Sequence, residues 1–433
     1  MDPVTHAIAA FALLVLLLGL GVPVAYALGL TATILTLIAG NPGEVLYIAA
    51  SLFEGLESFE LLAIPLFVLM GAVIAASPAA ADLYSVLHRL LSFPGGLGIS
   101  TIGGCALFSA LSGSSPATAA AIGSSGVPEM MQRGYPPRLA TGIIVGGGTL
   151  GILIPPSVVL IIYGIVTETS IGSLFLAGIV PALIIVLLFA AYVAFAVRQH
   201  ERSSGELSEN AGRANSSGAG LRVVPFFALI VGVMLALYGG WASPSEVAAL
   251  SAVGAVALVS MVYRVTALSI WGQIMMKAVR ETSFIMLIAA FSYYLNQYLA
   301  FQGSISEITA LLLDFSSNRW VTLFLLCLSM LALGLILPPF AIVVIVAPMF
   351  LPFVLSAGFD PVWFGILVTI IMEMGLITPP IGVNLFVVQA IAPEVSLRDI
   401  MLGSAPFLGL LAVTAVILCI APGVALWLPG LLL

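Results

Sequence analysis

Ser112, Gly113, Ser114, Ser115 and Thr118 place four hydroxyls and a glycine in one short segment of an otherwise apolar stretch. Hydroxyl and carbonyl oxygens are hard, neutral donors that suit a weakly held sodium ion, and Gly113 allows close backbone approach. Downstream lie Gly146-Gly147-Gly148-Thr149 and the double proline Pro155-Pro156, followed by Ser157. The second half of the chain repeats this with Met374-Gly375-Leu376-Ile377-Thr378-Pro379-Pro380 and Asn384. Two adjacent prolines remove two backbone donors and clash with the preceding turn, so neither helix can run through unbroken. At membrane depth, carbonyls freed this way are tolerated only against protein or a polar cavity.

The ion-binding set expected from this pattern is Ser112, Gly113, Ser114, Ser115 and Thr118 with Gly148, Thr149 and Pro155. Its second-half counterparts are Gly334, Leu337, Gly375, Thr378 and Pro379. Helices that restart after each double proline aim positive dipole ends inward, which favours an anion. The expected substrate contacts are therefore Ser114, Pro156, Ser157, Pro338, Pro380, Glu373 and Asn384. Glu373, one turn from the second break, is a functional candidate because ionisable groups inside membranes are expensive, although it fits a scaffold boundary equally well. Asn384 is costly to bury unpaired. A Gly/Ser-rich apolar stretch is also what close helix packing uses.

These positions belong to a chain of 433 residues that is 61% hydrophobic and only 7% charged. Soluble proteins carry about 25% charged residues, so the fold class expected is an all-α polytopic membrane protein. The one lysine, Lys277, and the absence of any basic run exclude nucleic acid as a partner. Cys105, Cys327 and Cys419 read as small buried hydrophobes, and three scattered histidines make no metal site of the usual kind. No His or Asp lies near Ser112–Thr118 in sequence, and there is neither a His-Glu-x-x-His pair nor a phosphate-binding Gly-Lys-Ser/Thr loop. An enzyme or primary pump is thus disfavoured, and no cofactor is expected beyond sodium as coupling ion. The N-terminus lacks a basic n-region and a clear cleavage site, so its first apolar run is expected to stay as a span.

The elements that must position these residues read in order as follows. Spans are expected over 6–20 and 24–38, a turn at Asn41-Pro42-Gly43, an interfacial helix over 44–60 and a span over 61–76. A polar surface piece follows at 82–91. Residues 99–127 read as a re-entrant hairpin with arms of about ten residues, each below the roughly 20 needed to cross. The broken span 139–166 and a long span 171–197 complete the first half. Spans over 225–237 and 247–263 follow, the second capped by Ser245-Glu246, then an interfacial helix over 268–280 and a span over 284–299. A second hairpin covers 321–355, interrupted at Leu337-Pro338-Pro339 and at Pro348 and Pro352. The second broken span, 362–388, and a last span over 402–428 end the chain.

The two double prolines lie 224 residues apart, and Cys105 and Cys327 lie 222 apart. Five crossings in each copy would insert the second upside down, the plan of alternating-access carriers. The domains expected are a first inverted repeat over 1–198, a linker over 199–222 and a second repeat over 223–433. The linker is hydrophilic and collects Arg202, Arg213 and Arg222, with Arg198 at its edge, so the positive-inside rule places it in the cytoplasm and the N-terminus in the periplasm.

The chain resembles the large membrane subunit of TRAP transporters (tripartite ATP-independent periplasmic transporters), in the ion transporter superfamily. The resemblance lies in Gly21–Leu30, Ser112–Ala119 with Val127-Pro128-Glu129-Met130, Gly146–Ser157, Ser243–Ala248 and Gly375–Gln389, in the family's order over the whole chain. It implies an elevator-type carrier in an inner membrane that takes a small organic anion, such as a dicarboxylate, from a periplasmic substrate-binding protein and couples import to sodium. It also implies a small four-helix membrane subunit as partner, within the lipid bilayer. Many members carry an acidic residue where this chain has Pro338, which weakens sialic acid as the implied substrate. Proton coupling through Glu373 is the alternative; an intramembrane enzyme is a remote one.

Overall fold

The computed structural model describes residues 2–39, 48–90, 96–204, 219–315, 318–335 and 337–432. The expected turn at 41–43, the start of the first interfacial helix, most of the linker and Ile336 lie outside them. Among the described residues, twenty α-helices and no strands occur. Among the described residues, five helices are long and apolar enough to cross a membrane, or six if the pair Ile48–Glu54 and Phe59–Ala75, bent by 67°, is one span.

In the first half, α1 (Pro3–Gly19) and α2 (Val24–Ile38) precede a short α3 (Ile48–Glu54) and α4 (Ala63–Ala75). The surface helix α5 (Ala79–Leu90) leads to α6 (Gly96–Ser112) and α7 (Ser115–Gln132), the arms of the first hairpin. These arms have 17 and 18 residues, not the ten or so expected. The Gly and Ser residues near their ends do not stop a helix whose neighbours bury it. The first broken span is α8 (Pro137–Gly148), a 3₁₀ turn at Thr149–Ile152, the double proline, and α9 (Val158–Val166). The long α10 (Ile171–Ser204) runs through Pro181 and on past residue 198, so the first residues assigned to the linker are helical.

In the second half, α11 (Ala219–Tyr238) begins before the expected end of the linker, and α12 (Pro244–Val262) follows. The cap of α12 is Ser243, not Ser245: Ser243 and Glu246 form a reciprocal capping box, and the Ser245 hydroxyl donates to the Phe59 carbonyl at 2.9 Å. The expected interfacial helix and span over 268–299 are one uninterrupted helix, α13 (Leu268–Phe301). Glu281-Thr282-Ser283 is polar but contains no Pro or Gly, so nothing there breaks it. Next come α14 (Ser304–Phe315), then α15 (Arg319–Gly334) and α16 (Pro339–Ser356), the arms of the second hairpin. Pro348 and Pro352 lie inside α16 and do not end it. α16 packs against α9, α13 and α17. The second broken span is α17 (Pro361–Leu376) and α18 (Val383–Ile391). The expected last span is two helices, α19 (Leu397–Ile420) and α20 (Gly423–Leu432).

Packing sorts the helices into two groups. One contains α2, α4, α11, α12 and α13, with α4 laid along α12 and α13 along α2. The other contains both hairpins and both broken spans, with α8 on α19 and α7, and α17 on α15, α16 and α10. The groups meet where α4 touches α6 and α9, and where α13 touches α16.

Candidate functional site

The first hairpin turns at Gly113 (φ +59°) and Ser114, whose extended backbone caps α7. A Cβ on Gly113 would sit 2.7 Å from the carbonyl oxygen of Pro156, so the tip rests directly on the first break. A Cβ on Gly151 would lie 2.4 Å from the Ser115 nitrogen. Glycine is needed at both points because two backbones touch there. On its other side the tip meets α4, where a Cβ on Gly71 would be 2.7 Å from the Ser112 carbonyl oxygen.

The second hairpin docks the same way. A Cβ on Gly375 would be 2.8 Å from the carbonyl oxygen of Gly334, so tip and broken span meet through paired glycines. Both double prolines contain a cis peptide bond, and Gly382 (φ +35°) turns the chain into α18. The breaks differ in exposure: Pro155, Pro156 and Ser157 are buried, whereas Pro379, Pro380 and Ile381 are exposed.

The two tips share a cavity of about 440 Å³. Ser112, Gly113 and Ser114 line it from the first hairpin, and Pro338, Pro339 and Phe340 from the second. Val158 and Val383, the first residues of α9 and α18, line it too. Four helix N-termini, those of α7, α9, α16 and α18, therefore converge on one space. The opposite wall comes from α4 and from Lys277, Glu281, Phe284 and Ile285 of α13.

The hydroxyls expected to bind ligand are mostly engaged with protein. Ser112 Oγ and Thr118 Oγ1 are 2.9 Å apart. Thr149 donates to the Gly146 carbonyl at 2.6 Å, and Thr378 to that of Met374 at 2.6 Å. Ser157 donates to the Ile152 carbonyl at 2.5 Å and accepts from the Leu160 amide at 3.4 Å, so it caps α9. Its side chain is fully buried, as are those of Glu373 and Asn384, and none of the three lines the cavity. Of the expected substrate contacts, Ser114 and Pro338 do.

Behind the tips lies a second polar layer. Glu373 Oε1 accepts from the Ser115 hydroxyl and from the Ile152 amide at 3.3 Å. Glu373 Oε2 and both side-chain polar atoms of Asn384 are buried without a hydrogen-bond partner. A Cβ on Gly148 would lie 3.3 Å from Asn384 Nδ2 and equally far from the Ser115 carbonyl oxygen, so α18, α8 and the start of α7 meet at that glycine. Leu337 is buried at the second tip.

The sequence reading missed the N-termini of α7 and α16 as anion-favouring ends, and missed the whole α13 wall. The one available signal for that wall was Lys277, the only lysine in the chain.

Residues 11–424 match the family model "Tripartite ATP-independent periplasmic transporter, DctM component". The C4-dicarboxylate TRAP transporter large permease protein DctM of Pseudomonas aeruginosa is 36% identical over 92% of this chain and 92% of its own length. The isethionate TRAP transporter permease protein DctMQ of Oleidesulfovibrio alaskensis is 30% identical over 97% of this chain and 66% of its own. Among solved structures, the YdaH transporter of Alcanivorax borkumensis superposes with a TM-score of 0.66 at 15% identity, covering 88% of this chain and 90% of that one, which is a likeness of fold. The relatives are named as permease proteins, not enzymes.

Proposed function

The chain belongs to the tripartite ATP-independent periplasmic transporter family as its DctM component, the large permease subunit of an integral membrane transporter, and from that premise we propose that it imports a small organic anion, in the first instance a C4-dicarboxylate, using a sodium gradient. The observation that carries this reading is the convergence of four helix N-termini on the cavity between the hairpin tips. Each end presents amide N–H groups without an intrahelical partner and roughly half a positive charge. An anion is favoured there without a dedicated arginine.

Sodium enters as a co-substrate. The donors that fit it are the Ser115 carbonyl, the side-chain oxygen of Asn384 and the backbone at Gly148, supplemented by the carbonyls at Thr149 and Pro155. The partnerless buried oxygen of Asn384 supports this assignment, because buried polar groups ordinarily have partners. At the second tip, Gly334, Leu337, Gly375, Thr378 and Pro379 offer a matching set of mostly backbone oxygens. The inverted-repeat and elevator readings rest on the parallel docking of the two hairpins and on the separation of the helices into two packing groups. In this reading the hairpins and broken spans move as one body past α4 and α13, in the inner membrane, with the linker cytoplasmic. The partners are a periplasmic substrate-binding protein and a small membrane subunit; the name DctMQ of the isethionate relative, longer than this chain, accords with a fused small subunit.

Uptake of labelled succinate into proteoliposomes holding the chain, its small subunit and the cognate binding protein tests the reading. Accumulation is expected only with an inward sodium gradient and binding protein present. Accumulation driven by a pH gradient without sodium would transfer coupling to Glu373, and no accumulation of any C4-dicarboxylate would overturn the substrate class.

A further inference from the structure

Lys277 lies in the first half of α13 with its side chain exposed. It shares the cavity wall with Glu281, Phe284 and Ile285, spaced i, i+4, i+7 and i+8, so a single face of the helix looks toward the hairpin tips. Among the described residues lining this cavity, Lys277 is the one cation and Glu281 the one carboxylate, and no ion pair engages either. A second cavity, of about 1090 Å³, borders the other end of α13 and is lined by Glu54, Glu60 and Glu168 with no described cation. Along one helix, the charged residues lining the first cavity thus balance, one cation and one carboxylate, while the second is lined by carboxylates alone.

We infer that Lys277 is a specificity-determining residue: from the wall opposite the tips its ammonium receives one carboxylate of a dianion whose other carboxylate meets the helix N-termini at the tips. Lysine suits this role because its charge is compact and its stem flexible, so it can follow an anion as the distance to the tips changes. Glu281 lies one turn along, but no ion pair joins it to Lys277, so the ammonium stays available to an anion. α13 packs mainly with α2 and α4 and meets the hairpins only at α16, so in the elevator reading this contact exists only while the tips face this cavity. The inference rests on the organic-anion reading and adds to it a preference for two charges over one.

The test uses the detergent-purified complex with its small subunit and measures the affinity of succinate, a dianion, and of its monoamide, a monoanion, by ligand-induced thermal shift in sodium buffer. Lys277→Gln is expected to weaken succinate roughly tenfold, the scale of losing one partly solvated charge contact, and the monoamide much less. Lys277→Arg restores most of the affinity. Arg280→Gln serves as control, since Arg280 shares an outer groove with Lys277 and Glu281 but, unlike them, does not line the cavity. Equal loss for both ligands, a Lys277→Arg variant as weak as Lys277→Gln, or an Arg280→Gln variant matching Lys277→Gln would each overturn the inference. Wild-type protein that binds neither ligand would instead remove the organic-anion reading, and this inference with it.

Discussion

The carboxylate of Glu373, on the second broken span, accepts a hydrogen bond from the hydroxyl of Ser115, the first residue of the helix that leaves the first hairpin tip. The two residues are 258 apart in sequence, so this bond ties the halves of the chain together directly behind the cavity. The Ile152 amide joins the same oxygen from the 3₁₀ turn before the first break. Three of the four pieces that form the site thus meet on one atom.

Glu373→Ala strands the Ser115 hydroxyl and the Ile152 amide in a buried setting, at about 1–3 kcal/mol for each unpaired group. A clear fall in the thermal midpoint of the purified complex is expected, with Glu373→Gln falling less because the amide oxygen still accepts. Glu373→Gln also addresses coupling: sodium-dependent uptake unchanged from wild type would remove Glu373 from any coupling role.

Alanine at Gly151 would put a methyl against the Ser115 backbone, and alanine at Gly113 would combine a clash at the Pro156 carbonyl with a left-handed φ. Neither neighbour is a flexible side-chain end, so the tip must shift. Uptake is expected to drop by at least about tenfold for either variant, as ångström-scale misplacement does at precise sites. Gly232→Ala, in α11 with nothing near its Cβ position, is expected to transport normally. Parallel rates for all three variants would mean the tip contacts do not matter to transport.

Asn384→Leu replaces the partnerless carboxamide with an apolar group of similar size. The sodium concentration for half-maximal uptake is expected to rise several-fold while the protein stays at least as stable, because burying an unpaired amide costs roughly 1–3 kcal/mol on the protein scale. Sodium titration of uptake checks the first part and thermal unfolding the second. An unshifted sodium curve would take Asn384 out of the ion shell.

Asp360 caps α17, accepting from the Val362 amide at 2.8 Å and the Trp363 amide at 3.1 Å. Asp360→Ala is expected to cost about 1 kcal/mol, and Asp360→Asn much less, since asparagine caps nearly as well. Scanning calorimetry on the purified complex checks the ranking. Substrate affinity is expected to stay unchanged, because the cap lies at the far end of α17 from Gly375.

Breaks and tips were legible in the sequence because their signals are local and steric. Pro155-Pro156 and Pro379-Pro380 each forbid a regular helix whatever surrounds them, and Gly113 sits in a polar, turn-prone Ser-Gly-Ser-Ser-Pro cluster. Pro348 and Pro352 carry the same kind of signal singly, yet α16 runs through both while packed against α9, α13 and α17. The uniform helix over Leu268–Phe301 was hidden for the opposite reason: polarity at Glu281-Thr282-Ser283 imitates an interface without supplying a breaker. Side-chain roles were the least legible. That Glu373 accepts from Ser115, or that Asn384 settles beside Gly148, depends on contacts between segments far apart in the chain, which no spacing rule encodes.

The unbroken α13 also acts as a ruler. Lys277 to Ile285 face one cavity, and Ala289 to Ala300 border the other. At 1.5 Å per residue the midpoints of these two stretches lie about 20 Å apart. A hairpin tip that exchanged one cavity for the other would travel that distance along a single helix, leaving the one lysine behind. In the elevator motion proposed above, the length of the stroke would therefore be set by α13.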